Sequence, residues 1–311
     1  MTALRVLLDN YLTMRRALGY KLKTEGAGLK TFVAFMEARQ ADHITIDLAL
    51  EWALQPRSVQ VVQQARRLGF VRSFARHCSA IDARTQVPLP DLIPCQRLRP
   101  QPCFFTDADI ANLLRAALAL PGKDGLRPWT FHCLFGLLCV SGLRIGEAQG
   151  LIVEDIDLDE AILTIRASKF GKSRLVPLHA TTVDVLDDYL QRRQRFFHVT
   201  NPVKQVFVND GGTRLSNDQA LRTFQRLLTS IGFIPERERR RPHLHDLRHR
   251  FAIETLLHWY RDGDDVERRL PVLSAYLGHT EVRDTYWYLS ARPELMTFAQ
   301  ERLERHWEKP S

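Results

Sequence analysis

The 311-residue sequence is poor in the features that would place it in a membrane or an oxidising compartment. It has five cysteines, Cys78, Cys95, Cys103, Cys133 and Cys139, an odd number with no CxxC pair, so neither a disulfide framework nor a cysteine metal site is expected. Cys133 and Cys139 fall inside the apolar run FHCLFGLLCV and read as small buried hydrophobes. The N-terminal stretch does not read as a signal peptide, and no apolar run has membrane-spanning length. A soluble, cytoplasmic protein without a membrane partner is therefore expected. Acidic residues are also in the minority. Thirty-six Asp and Glu face 44 Lys and Arg, for a net charge of +8, and that balance favours a polyanionic partner such as nucleic acid.

The length predicts two domains, each able to bury its own core. Apolar spacing predicts helices over residues 4–18, 29–38, 47–54 and 59–78, so the first part reads as an all-helical bundle. The fourth of these carries Arg66, Arg67, Arg72 and Arg76, and the spacing puts Arg72 and Arg76 on one face, which suits a phosphate backbone or simply a solvated surface. Residues 86–104 hold five of the 15 prolines; they exclude a helix interior and mark an extended linker. The boundaries that follow are a helical domain over 1–86, a linker over 87–104 and a second domain over 105–311.

The second domain reads as mixed, mainly helical with a small antiparallel sheet (α+β). Thr106 is a candidate N-cap followed by Asp107 and Asp109. The run over 130–151 breaks at Ser141 and Gly142, and a new helix opens at Leu143 or Arg144. Arg144 then sits at a helix N-terminus, with Glu147 three residues on to hold its guanidinium. The stretch AILTIRASKFGKSRLVPL alternates about a turn at Phe170 and Gly171, a β-hairpin with Lys169 at its tip as a phosphate contact or a proton donor, and with Lys172 and Arg174 nearby as further backbone-phosphate contacts. A strand around 155–158 is expected to pair with it. Helices over 182–195 and 216–230 follow, the second capped by Ser216, with a short strand at 205–208 between them.

Charge density then rises sharply. ERERRRPHLHDLRHRF contains six arginines, Arg241 and Arg248 among them, and three histidines. A helix starting near His245 puts His245 and Arg248 on one face, a proton carrier beside a fork for phosphate oxygens. His243, His245 and His249 also have a spacing that suits a metal, a weaker reading because no cysteine pair or acidic cluster completes such a site. A helix over 266–277 should stop at Gly278 and hold His279 at its end. Tyr288 lies nine residues further, in the helix expected next, and Tyr286 is its rival; on a helix the two project about 200° apart. A last amphipathic helix over 293–307 would carry Leu295, Met296, Phe298, Ala299 and Leu303 on one side.

In this order, SGLRIGE, the lysine of SKFGKSR, HDLRHRF, and LGH followed by Tyr288 resemble the tyrosine recombinase (phage integrase) family over about residues 105–290. The first domain resembles that family's core-binding domain in size and pattern, and the tail TYWYLSARPELM resembles recombinases of transposable elements. The resemblance implies that Arg144 and Arg248 bind a scissile phosphate in double-stranded DNA at a specific recombination site, with a hydrogen bond from His279. It further implies that His245 assists proton transfer, that Lys169 protonates the leaving 5′-oxygen, and that Tyr288 attacks to give a 3′-phosphotyrosyl link, without metal or cofactor. It extends to a tetrameric synapse on DNA, to accessory recombinases as partners and to a nucleoid location in a bacterial-type cell. The alternatives are a type IB topoisomerase-like enzyme and an inactive DNA-binding accessory protein. The chemistry is consistent on its own terms: a phenol with a pKa of about 10 needs cationic neighbours to become a nucleophile near neutrality. Two departures stand out, a longer segment between Arg248 and His279 and an arginine at 250 where a small or neutral residue is more familiar.

Overall fold

The computed structural model describes residues 3–55, 58–95, 101–122, 125–166, 173–197, 204–235 and 241–307. The chain forms two compact units, Met1–Pro100 and Gln101–Ser311.

The first unit has four helices, α1 (Ala3–Ala17), α2 (Lys23–Ala38), α3 (Ile46–Leu54) and α4 (Val61–Ser79). Leu8 and Leu12 of α1, and Phe32 and Met36 of α2, are pairs four apart. They present one apolar stripe each to a core shared with Trp52 and Phe74, as helical periodicity requires. Thr45 caps α3 by accepting from the Leu48 N–H at 3.3 Å.

The basic helix α4 differs from the expected phosphate-facing row. Arg67 lies 3.7 Å over the Trp52 ring and donates to the Trp52 carbonyl. Arg72 donates to the carbonyls of Pro88 (2.8 Å) and Leu89 (2.7 Å). The reason is local: carbonyls in the proline-rich segment that follows have no helix or sheet partner, and a guanidinium fork can satisfy two of them. Arg66 and Arg76 remain exposed, so Arg72 and Arg76 do not act as a pair. The start of the proline-rich segment lies on this unit: Gln86 N donates to the Ile44 carbonyl at 2.8 Å, and Val87 and Ile93 pack into its core. Residues 96–100 of the expected linker lie outside the described set.

In the second unit, α5 (Asp107–Leu118) starts with a Thr106–Asp109 capping box, and α6 (Arg127–Ser141) is buried along most of its length. A short α7 (Ile145–Ala148) leads into an antiparallel sheet ordered β1 (Ile156–Asp157), β2 (Ile162–Ile165), β3 (Arg174–Pro177). Ile165 faces Arg174 and Ile162 faces Pro177 in register, so alternation buries Leu163, Ile165 and Val176 against the helices. The stretch at 205–208 contributes isolated bridges only, Ile152 with Gln205 and Val208 with Arg214. Helices α8 (Ala180–Phe197) and α9 (Asn217–Ser230), the latter boxed by Ser216 and Gln219, close this core.

A second core in the same unit is built by α10 (Leu244–Arg261), α11 (Val266–Leu277), the turn that carries Tyr288 after the short α12 (Arg283–Tyr286), and α13 (Pro293–Trp307). The unusual Arg250 ties α10 to the start of the unit: it donates to the Phe105 carbonyl at 2.9 Å and pairs with Asp107. The expected helix through Tyr288 stops early. Only Arg283–Tyr286 is α-helical, and Trp287–Ser290 forms a 3₁₀ turn. A Thr-Tyr-Trp-Tyr run has weak helix propensity, and burial of its rings sets the local path. In α13 Leu295 is fully buried and Phe298 stacks on Tyr260 at 5.7 Å. Met296, expected beside them, is 56% exposed, because a step of one residue turns it about 100° off that face. The side chains of Ala299 and Leu303 lie outside the described set.

Candidate active site

The site forms where helices end. Gly142 terminates α6 with φ 59° and Gly278 terminates α11 with φ 67°; both are left-handed conformations that glycine adopts without a Cβ penalty. A Cβ on Gly142 would lie 2.5 Å from Phe251 Cδ1, and one on Gly278 would lie 2.8 Å from an Arg174 nitrogen. These turns leave carbonyls without intrahelical partners, and two arginines take them up. Arg248 donates to the Gly142 carbonyl at 2.6 Å and to the Leu277 carbonyl at 2.7 Å. Arg144 reaches the same Leu277 carbonyl at 3.4 Å and the Gly278 carbonyl at 3.1 Å.

Two guanidiniums meeting at one carbonyl repel each other, and their surroundings compensate. The negative end of the α11 dipole lies between them, and Glu147 lies beside them. Its carboxylate accepts from the Arg144 side chain at 2.8 Å and from the Arg144 N–H at 3.0 Å. The other partner is Arg174, at 3.1 and 2.9 Å, which also donates to the Tyr276 carbonyl at 2.8 Å. Burial pushes the Glu147 carboxyl up, but the hydrogen bonds and charges of Arg174 and Arg144 pull it further down, to about 2. Arg248 is almost wholly buried; burial first, and then the Arg144 charge, lower it from its ordinary value to about 10. It stays cationic at neutral pH, but at a cost in desolvation that a bound anion would relieve.

Tyr288 is 2% exposed and Tyr286 is 53% exposed, so of the two only Tyr288 belongs to the interior of the site. Its ring stands 6.2 Å from that of His279, and His279 Nδ1 is 2.7 Å from the hydroxyl of the buried Thr285. The phenol oxygen is 3.3 Å from Nδ1 of His249, a residue read from the sequence only as one of three metal-ligand candidates. His245, expected to assist proton transfer, is exposed on α10, with its ring centroid 4.5 Å from that of His249.

Arg144, Arg248, His279 and Tyr288 are thus brought together, with Glu147 supporting the pair of arginines. Lys169, Lys172 and the hairpin turn lie outside the described residues. Arg241 is exposed just ahead of α10. Arg174, expected as a DNA contact, is committed to Glu147 and to the end of α11. Three contributors escaped the sequence reading: His249, Thr285 and the internal role of Arg174. His249 had a usable signal, the four-residue step from His245 that puts both on one helix face. Thr285 lies six residues from His279, a spacing that no regular element predicts, and the partners of Arg174 are 27 and 102 residues away.

Residues 104–294 match the phage integrase family. The putative integrase/recombinase y4rB of Sinorhizobium fredii (strain NBRC 101917 / NGR234) is 49% identical over 311 residues, covering 99% of each chain. The tyrosine recombinase XerC of Chlamydia trachomatis serovar L2 is 30% identical over 244 residues, covering 78% of this chain and 70% of that one. Among solved structures, the Tn1549 transposon integrase in complex with transposon right end DNA shares the fold, with a TM-score of 0.65 at 16% identity over 98% of this chain and 99% of that one. Paired arginines at two glycine-terminated helix ends, a histidine after the second and a buried tyrosine nine residues on match the order of motifs read from the sequence, and the chain belongs to the phage integrase family of tyrosine recombinases.

Proposed function

We propose that this recombinase binds the scissile phosphate of a specific duplex site through Arg144, Arg248 and His279, and cleaves it with Tyr288. The observation that carries the reading is the convergence of both guanidiniums on the Leu277 carbonyl, one peptide step from Gly278 and two from His279, with the Tyr288 ring facing that histidine. A phosphate in this cradle would meet two fixed cations at no cost of reorganisation. The Tyr288 oxygen forms a bond to phosphorus while the bond to the 5′-oxygen breaks, and the leaving oxygen takes a proton from Lys169. The ester keeps the energy of the cleaved bond, so a 5′-hydroxyl from another strand can reverse the step. That reversibility favours strand exchange in integration or transposition over hydrolysis.

DNA backbone contacts are assigned to Arg66, Arg76 and Arg241, which are exposed, and to Lys172. Arg67, Arg72 and Arg174 act from inside by holding the elements that carry them. In the free chain α13 packs on its own unit through Leu295 and Phe298; in a tetrameric synapse it would dock on a neighbour, and deleting residues 292–311 without effect on synapsis would count against that. The protein would act at the nucleoid, alone or with accessory recombinases.

The test is trapping on a nicked duplex carrying the site that the wild-type protein selects from a random-sequence pool. A covalent protein–DNA adduct is expected from wild type and none from Tyr288→Phe. Failure of the wild type to form one on that site would leave only a DNA-binding role. Joining between two duplexes, rather than relaxation of one, separates a recombinase from a topoisomerase-like enzyme.

A further inference from the structure

The mechanism above gives a part to the imidazole of His279 but none to that of His249. His249 is buried on α10, next in sequence to Arg248 and one helical turn beyond His245. Its Nδ1 is 3.3 Å from the Tyr288 oxygen, the atom that must lose a proton if it is to attack phosphorus. The ring is boxed in edge-on contacts: 5.5 Å to the Tyr288 ring, 5.1 Å to Trp287 and 4.5 Å to His245. Such packing holds the imidazole plane in place, and an imidazole whose Nδ1 carries no proton accepts from the phenol in this geometry.

We propose that His249, on the reading of Tyr288 as nucleophile, is the proton acceptor for its phenol. During cleavage Nδ1 takes the phenolic proton as the tyrosyl O–P bond forms and the bond to the 5′-oxygen breaks; the proton on the departing oxygen comes from Lys169. During joining both transfers run backwards, so the protein ends each cycle in its starting protonation state. His245, assigned above to proton transfer, then acts at one remove: exposed and in ring contact with His249, it connects the buried imidazole with solvent.

The charges nearby suit the timing. The titratable groups that face His249 are His245 on its own helix, Tyr288 on the 3₁₀ turn, and His279 across the Tyr288 ring; Arg248, next in sequence, couples electrostatically to Tyr288. Arg144 adds a second fixed cation behind Arg248. A phosphate entering that cradle supplies negative charge that favours an imidazolium next to the phenol. Transfer of the phenolic proton to Nδ1 is therefore favoured once a phosphate occupies the cradle.

Two measurements test this. In the free protein, Tyr288→Phe removes the hydroxyl and little else, and is expected to move the ring-nitrogen resonances of His249 and the pH at which they titrate; unchanged resonances would overturn the contact. In single-turnover cleavage of the nicked, selected duplex, His249→Gln keeps a hydrogen-bonding group but cannot carry the proton. Adduct formation should slow by about 10²–10⁴-fold, the usual range for a positioned base. The fall in wild-type rate on acidification, as a neutral imidazole is lost, should flatten in the variant. A 5′-phosphorothiolate leaving group, which needs no protonation, should restore Lys169→Ala and leave His249→Gln slow. An equal slowing at every pH would mark His249 as a packing residue, and a faster variant would mark it as a latch; either sinks the proposal. An adduct that persists in Tyr288→Phe would instead remove the nucleophile reading itself.

Discussion

The arginine half of the site and the tyrosine half are held by different physics. Arg144, Arg248 and Glu147 are anchored by backbone carbonyls at the glycine-terminated ends of α6 and α11 and by Arg174 from β3. Helix ends embedded in two cores have one position, so the cations have one position as well. Tyr288 sits on a four-residue helix and a 3₁₀ turn, segments too short to be stable by themselves. Its place is set by the rings of His249, Trp287 and His279 around it. The comparison teaches that phosphate binding is preorganised by main-chain geometry, whereas the position of the nucleophile depends on side-chain packing.

The sharpest way to break the rigid half is Arg248→Lys. A single ammonium cannot reach both the Gly142 and the Leu277 carbonyls as the fork does, so one buried acceptor loses its partner. Covalent adduct formation is expected to fall by about 10²–10³-fold, roughly 3–4 kcal/mol of lost transition-state stabilisation, measured by single-turnover trapping.

Next is Glu147→Gln, with a pH dependence that identifies the cause. The folded carboxyl is held at about 2 against an ordinary 4.5, so its stabilisation is complete above pH 4.5 and is lost as pH falls through 2. On the order of 3 kcal/mol separates variant from wild type at neutral pH. Urea melts at pH 7 and at successively lower pH should show the gap narrowing below pH 4.5; a gap that stays constant would detach it from ionisation.

Gly142→Ala comes third. The new Cβ would meet Phe251 at 2.5 Å in a left-handed backbone, and the combined strain and overpacking should lower stability by about 2–3 kcal/mol. Chemical denaturation measures it, and the lost alignment of the Gly142 carbonyl should lower adduct yield in parallel.

The mildest change addresses the packed half. Thr285→Val keeps the volume of a fully buried side chain but removes the bond to His279 Nδ1, for about 1 kcal/mol and a few-fold slower cleavage without a change in pH profile. If Thr285→Val proved as damaging as Arg248→Lys, the contrast between the two halves would collapse.

Much of the local structure was legible in the sequence because its causes are local. The Thr106 and Ser216 caps, the break at Gly142, the bounds of α11 and the Arg144–Glu147 pair all rest on residues within four positions of each other. What failed was local preference against tertiary burial. Tyr288 left the expected helix so that its ring could be buried, Met296 faced outwards, and Arg72 turned to carbonyls 16 and 17 residues away.

By itself the sequence determined the residue types of the chemistry, their order, and the two glycines whose positive φ ends the helices, since backbone sterics act within a residue or two. Only the tertiary structure decided that both arginines share the Leu277 carbonyl, that Glu147 serves Arg144 and Arg174 together, and that His249, not His245, meets the Tyr288 hydroxyl. Those contacts join residues 27 to 133 apart in sequence. No periodicity encodes them, because they follow from how the cores pack helix ends against one another.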